Sequence, residues 1–310
     1  MKFECTTEQL LKAVSTAVRF VEKRANLPAL ANILLTAQSG RVVLRATNLE
    51  CGVEYTISAK IQQEGVVAVS GGVLSGFLSN AYGKGVLVSL VGGVLKVEVD
   101  RASASIKTVP HDDFPVLPRV SASTSFTVKS NELHRAIRSV VYCASLSTIK
   151  PELQSVLLYA EAGKLIVAAT DSFRLAEKII PLRGGGNVPQ LLLPARNAVE
   201  LMRILESKNN DVEFYYNENQ ISTHVEELYY TSRLLDGTFP NYRQILPKSF
   251  STEVMVLRED MAQALKSLAV FSDKFAQVSF GVEPAKKSII LSSRNPDVGE
   301  QTSTLRATIS

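Results

Sequence analysis

Cysteine and histidine are scarce in this sequence, and long apolar runs are missing. The three cysteines, Cys5, Cys51 and Cys143, are an odd set without zinc-site spacing. That excludes a disulfide framework and a structural metal, and it favours a reducing compartment, the cytosol. No metal or other cofactor is expected. The three histidines, His111, His134 and His224, leave little for a catalytic triad, and no G-x-S-x-G motif occurs. The glycine-rich run Gly71-Gly72-Val73-Leu74-Ser75-Gly76 lacks the lysine and hydroxyl residue of a phosphate loop. His111-Asp112-Asp113 reads as a turn rather than a metal site, and His224 falls in an alternating strand, where it reads as structural. A nuclease or other enzyme is therefore not expected. No apolar run approaches the ~20 residues of a membrane helix. The first residues, Met1 to Cys5, have neither the basic head nor the apolar stretch of a signal peptide. A net charge of +4 excludes a blanket of cations but leaves room for a local basic face.

What is present is a repeat. Hydrophobic residues make up 45% of 310 positions and charged residues 21%, enough to bury more than one core. Leu34 to Asn48 matches Leu157 to Asp171 at a constant offset, with the apolar pairs, the turn glycines Gly40 and Gly163 and the Ala-Thr-Asx endings aligned. Phe3, Leu10, Ala13 and Val14 meet Phe126, Leu133, Ala136 and Ile137 in the same frame. A third copy opens near Lys248, where Met261, Ala264, Leu265 and Leu268 repeat Leu133, Ala136, Ile137 and Val140. Ile289 to Asn295 then repeats Leu165 to Asp171. Expected domains are 1–121, 122–247 and 248–310, the last holding only the first half of the pattern and so leaving an open sheet and exposed core.

Each copy has one plan, and the class is α+β. A short strand leads into a helix capped by Thr6 or Ser130. Alternating hairpins follow, then a second helix, clearest from Pro194 to Leu205, then closing strands. The picture is a curved antiparallel sheet backed by two helices, used repeatedly. Each helix has one apolar stripe for the sheet, and the opposite stripe carries cations. These are Lys12 and Arg19 with Lys23 and Arg24 just beyond, then His134, Arg135 and Arg138, then Arg196 and Arg203, then Lys266. Spaced cations without interleaved aromatics suit a phosphate backbone more than base edges, so weak, sequence-blind, salt-sensitive binding to a phosphate backbone is expected.

Several stretches carry a family resemblance. They are Arg24 to Leu30, Ala46 to Glu50, Ala169 to Ala176, Val199 to Leu205 and Asp236 to Pro247. With the repeat, the chain resembles the bacterial sliding clamp, the β subunit of DNA polymerase III. The resemblance implies repeated DNA-clamp domains in a pseudo-symmetric, ring-forming arrangement, a non-catalytic processivity factor closed as a homodimer around duplex DNA. It also implies a replicative polymerase and a clamp loader as partners, and a cytoplasmic, membrane-free setting. A partner-motif pocket would use Leu153, Thr170, Ser172, Phe173, Arg174, Leu175, Pro240, Gln244 and Ile245. The ring seam would set Ala104 and Ile106 against Val270 and Phe271. Ser172-Phe173 stands where the family usually has Gly-His, Gln244 where arginine is common, and Gly72 in the place of Arg196. The alternative reading is a shortened clamp-like docking module that recruits partners without closing a ring.

Overall fold

The computed structural model describes residues 1–22, 27–120, 124–184, 186–206 and 208–310. They form two compact units, Met1–Pro240 and Asn241–Ser310. The first unit therefore holds the first two copies together, and it ends before the boundary expected at 247. Five α-helices occur among the described residues. They are α1 (Thr7–Ala17), α2 (Gly71–Asn80), α3 (Ser130–Val140), α4 (Ala195–Ile204) and α5 (Arg258–Leu268).

The repeat is visible in burial residue by residue. Thr7, Leu10, Ala13, Val14 and Ala17 are the buried positions of α1. Ser130, Leu133, Ala136, Ile137 and Val140 hold the same places in α3. Steps of three and four put each set on one helix face, which the sheet covers. The caps differ, however. Thr6 Oγ1 accepts the Gln9 backbone N–H at 3.3 Å, satisfying one of the unpaired first-turn donors of α1. Ser130, expected to cap α3, is instead its first helical residue, with Lys129 at the cap position and no side-chain cap. The Ser130 hydroxyl is fully buried and donates to Asn210 Oδ1 at 3.4 Å, so a tertiary contact has taken the group the cap would need.

Each of the first two copies contains two four-stranded antiparallel ladders. In the first copy, one ladder runs Cys51–Ser58, Arg41–Thr47, Ile33–Gln38, Gly65–Val69. The other runs Ala102–Val109, Val94–Val99, Gly85–Val91, Lys2–Thr6 and is extended by Lys60–Gln63. They fuse where Ala68 and Val69 pair with Val109 and Thr108, producing the expected curved sheet. The second copy repeats the first ladder as Leu175–Pro181, Lys164–Thr170, Ser155–Glu161, Leu191–Pro194. Its other ladder is Ser125–Lys129, Asp211–Tyr216, Gln220–Val225, Leu228–Arg233. The equivalent hairpins turn through Ser39-Gly40 and Ala162-Gly163, all four residues at positive φ, the geometry of a two-residue turn that matches strand twist. One seam joins the copies: Leu228–Ser232 pairs antiparallel with Tyr55–Cys51, so the sheet runs on from one copy into the next.

The second unit sets α5 on a three-stranded sheet, Ser279–Glu283, Ser288–Asn295 and Gly299–Arg306. Its small core is Ala264, Leu268, Ile289, Leu291 and Ala307. Phe280 and Val282 lie in register with Leu291 and Ile289, on the same sheet face, yet both are exposed. Leu158, which holds the place of Phe280 in the second copy, is fully buried.

Candidate nucleic-acid face and partner groove

The helices of the first two copies pack in pairs. Ser15 and Ser75 hydroxyls meet at 3.2 Å between α1 and α2. His134 Nδ1–H donates to the Met202 carbonyl at 2.9 Å between α3 and α4. That bond engages Nδ1 of the half-buried His134 ring in the helix pair. The arginines behave as the pattern predicts. Arg135 and Arg138 are exposed on the side of α3 opposite Leu133, Ala136, Ile137 and Val140. Arg196 and Arg203 are exposed on α4 opposite Ala198 and Leu201. Arg203 pairs with Glu200 one turn back, which reduces its availability to a phosphate. Among the described residues no carboxylate pairs with Arg135, Arg138 or Arg196. Lys12 is exposed on α1, and Arg19 is exposed on the short 3-10 turn Val18–Phe20 that follows. Lys23 and Arg24 lie outside the described residues. Helix α2 contains no charged residue, and Gly72 leaves bare backbone where α4 has Arg196. Lys266 is exposed on α5 in the second unit.

Asn197 fixes how α4 presents these side chains. It is buried, and its Nδ2 donates to Ser232 Oγ at 2.8 Å and to the Glu50 carbonyl at 3.4 Å. The Tyr230 hydroxyl, fully buried, donates to the Asn197 carbonyl at 3.0 Å. One polar residue thus ties the helix to its own sheet and to a turn of the preceding copy.

The pocket residues of the first unit gather at a turn, Thr170 to Arg174. Asp171 Oδ1 accepts the backbone N–H groups of Phe173 and Arg174, each at 3.0 Å, and Oδ2 accepts Arg174 Nε at 3.0 Å. The amides of Arg174 and Phe173 hold the Asp171 carboxyl below its ordinary range, with the Arg174 side chain adding to the effect. Thr170 Oγ1 donates to the Arg174 carbonyl at 2.8 Å and accepts the Ser172 N–H at 3.2 Å. This cage keeps Ser172 at φ +75°, a left-handed conformation that costs a residue with a Cβ. Phe173 is then displayed 97% exposed. Beside it lies a groove of about 390 Å³ whose lining includes Leu146, Ile149, Lys150, Leu153, Phe173 and Arg174. Leu153 is buried at the groove and Thr170 is buried beneath the turn, while Leu175 is half-buried at the start of its strand. Pro240 is exposed at the end of the first unit; Gln244 and Ile245 are exposed on the turn Tyr242–Ile245 of the second.

Leu146, Ile149 and Lys150 escaped the sequence reading. Leu146 and Ile149 sit in the hydroxyl-rich stretch Ser145 to Thr148 and its edge, where isolated apolar residues were the available signal.

At the expected ring seam, Ile106 is only 5% exposed and packs into the core of its own copy, with Ala104 against the same core. What faces outward on Ala102–Val109 is Ser103, Ser105 and Lys107, together with a strand edge that carries ladder partners on its second side only at Thr108 and Val109. Val270 is exposed and Phe271 half-buried at the end of α5.

Repeated antiparallel modules with paired helices, bare arginines on the helix faces and an apolar groove give the chain the parts of a binding protein. The comparisons place that class in a family. Residues 1–118 match the family model of the DNA polymerase III beta subunit N-terminal domain, and residues 127–241 match its central domain. The chain is 28% identical to the beta sliding clamp of Escherichia coli K12, covering all of this chain and 85% of the relative. It is 27% identical to that of Synechococcus elongatus, covering 96% and 82%. Its fold is similar to the crystal structure of the DNA polymerase sliding clamp from Bacillus subtilis, TM-score 0.93 at 23% identity, covering 100% of this chain and 85% of that one. The Thermotoga maritima DNA polymerase III beta subunit gives a TM-score of 0.92 at 25% identity, covering 100% and 84%. The chain belongs to the DNA polymerase III beta subunit family, the DNA sliding clamps, and is a non-catalytic processivity factor.

Proposed function

We propose that two copies of the chain close a ring around double-stranded DNA and hold a replicative polymerase on its template. The observation that carries this reading is the recurrence of the basic stripe. Arg135, Arg138 and Arg196 stand on helix faces turned away from the core, with Lys12 in the place that Arg135 holds one copy later. Cations spaced along helix faces meet a phosphate backbone without reading bases, and loose contacts of that kind permit sliding. A topological link then supplies retention that the contacts do not.

The seam pairs the open edge of Ala102–Val109 with the region of Val270 and Phe271 in a second copy. The groove beside Phe173 receives short segments of the polymerase and of the loader that opens the ring. The expected domains 1–121, 122–247 and 248–310 are the repeating units of that ring, and the cytoplasm is its compartment.

Sedimentation tests ring closure. A ring predicts a dimer whose population follows mass action at the seam. A concentration-independent monomer would favour the docking module that recruits partners without encircling DNA.

A further inference from the structure

The first copy has a recess at its sheet edge that neither the basic stripe nor the groove beside Phe173 uses. Lys60–Gln63 runs beside the first strand, and its pairing ends where Glu4 meets Lys60. The Ala59 N–H is taken instead by the Gly40 carbonyl at 3.1 Å. Cys5 and Thr6 are left with ladder partners on one side only, Val86 and Gly85. A cavity of about 950 Å³ opens at that gap, large enough for a short segment of another chain.

Strand register decides what lines it. Glu4 lies opposite Leu87, and Leu87 opposite Glu98, so the three side chains form one row across the sheet. Their neighbours Phe3, Val86, Val88, Val97 and Val99 are buried in the core. The row therefore stands on the face turned away from the helices, with two carboxylates flanking a leucine at roughly 10 Å from each other, two strand spacings. Asp100, exposed at the turn after Val99, adds a third carboxylate with no hydrogen-bond or ion-pair partner among the described residues. Glu4 Oε1 accepts Gln62 Nε2 at 2.6 Å, and Glu98 Oε1 accepts Lys96 Nζ at 2.7 Å. Lys60 is the one cation lining the cavity. Three carboxylates against one ammonium make this recess acidic on a chain whose net charge is +4.

We infer that this recess docks an extended basic segment of a partner protein, with a large apolar side chain between two cations. The complement of carboxylate, leucine and carboxylate in a row is cation, apolar side chain and cation. An extended segment presents alternate side chains on one face about 6.6 Å apart, and long arginine stems lean inward to meet Glu4 and Glu98. Guanidinium groups bind carboxylates through two parallel hydrogen bonds. The apolar side chain between them covers Leu87. Lys12 stands on α1, which packs on the opposite face of the same sheet. Docking here and phosphate contact there do not compete, and the inference does not depend on whether a ring closes.

The test uses a fluorescein-labelled heptapeptide of order glycine, arginine, alanine, leucine, alanine, arginine, glycine. Two control peptides replace both arginines with glutamates or the leucine with glycine. Fluorescence anisotropy with the full chain at low salt should rank the parent peptide first, with each control at least tenfold weaker. Glu4→Gln combined with Glu98→Gln should weaken the parent peptide at least tenfold while thermal unfolding stays unchanged, because glutamine keeps the shape and the acceptor oxygen. Glu4→Arg combined with Glu98→Arg should transfer the preference to the glutamate peptide. Parent-peptide binding that is indifferent to the glutamine pair, or no binding at all, would overturn the inference. Equal binding of the glycine control would reduce the recess to a charged patch and overturn it as well. Spermidine is the competitor: displacement of the parent peptide at an equal or lower concentration would assign the recess to a small amine instead of a protein segment. None of these variants removes a cation of the helix faces, so DNA retention tests the clamp reading separately.

Discussion

The guanidinium of Arg119 lies over the ring of Tyr229, 3.9 Å from its centre. Arg119 belongs to the segment between the first two copies, and Tyr229 to the strand that joins their sheets. The pair is part of a clasp. Glu54, 8% exposed, accepts hydrogen bonds from Arg45 at 2.8 Å and from Arg119. The Tyr229 hydroxyl donates to the Pro118 carbonyl at 2.8 Å, and the His224 ring packs on Tyr229 at 4.8 Å. Burial and the nearby Arg119 charge hold His224 below its ordinary range, so it stays neutral in the clasp. One carboxylate and one tyrosine thus pin the connecting segment to both copies.

Removing that carboxylate should loosen the junction. Glu54→Ala leaves Arg45 and Arg119 without their acceptor, but both reach solvent, so the expected loss is about 1–2 kcal/mol rather than the cost of a fully buried pair. Urea unfolding of the variant measures it, and a change below the error of the method would show that the strand pairing alone holds the copies together.

The free arginines predict the salt dependence of DNA binding. Replacing Arg135, Arg138 and Arg196 by alanine should lower the slope of log affinity against log salt by about 0.9 for each phosphate left without a cation, roughly two to three in all. His134→Ala should leave that slope unchanged, because its ring serves Met202 on the neighbouring helix. A slope that falls for His134→Ala and holds for the arginine variant would invert the assignment.

The turn under Phe173 predicts a gain of stability from a glycine. Ser172 sits at φ +75°, where a Cβ is disfavoured, and Ser172→Gly relieves that strain at some cost in unfolded-chain entropy. The net expectation is stabilisation by about 0.5 kcal/mol, seen as a small rise in melting temperature. A fall would mean that the Ser172 side chain contributes more than its backbone strain costs.

Alkaline pH should destabilise the fold through its thiols. Burial pushes Cys5 and Cys51 up from 9.0 to about 12. An unfolded thiol releases its proton near 9.0 while the folded one keeps it, so both contributions are complete below pH 9 and are lost as pH rises towards 12. Stability should fall by roughly 1–2 kcal/mol per pH unit across that window, allowing for partial solvent access at Cys5. At about pH 8 the same burial predicts slow alkylation of both thiols until the chain unfolds.

Local, periodic features were legible in the sequence. Leu10, Ala13 and Val14 announce a buried stripe by their spacing, and the same spacing at Leu133, Ala136 and Ile137 announces the repeat. Arg135 and Arg138 were legible as outward residues for the same reason. Partnerships across the chain were not. Nothing local marks Glu54 as the acceptor of Arg119, or His134 as a donor to Met202, because those pairs depend on how strands and helices assemble. Ser130 shows the limit in miniature: its residue type suits a cap, and a hydrogen bond to Asn210 overrides it. Ile106 shows it again, since an alternating edge strand reads the same from either face.

Encirclement is tested most directly by topology. Chains are loaded onto a nicked circular plasmid with a clamp loader, freed of excess protein by gel filtration, and the plasmid is then cut once. The account predicts that the chain co-elutes with the closed circle at high salt and leaves the linear product through its ends. Equal release from circle and linear DNA would contradict it.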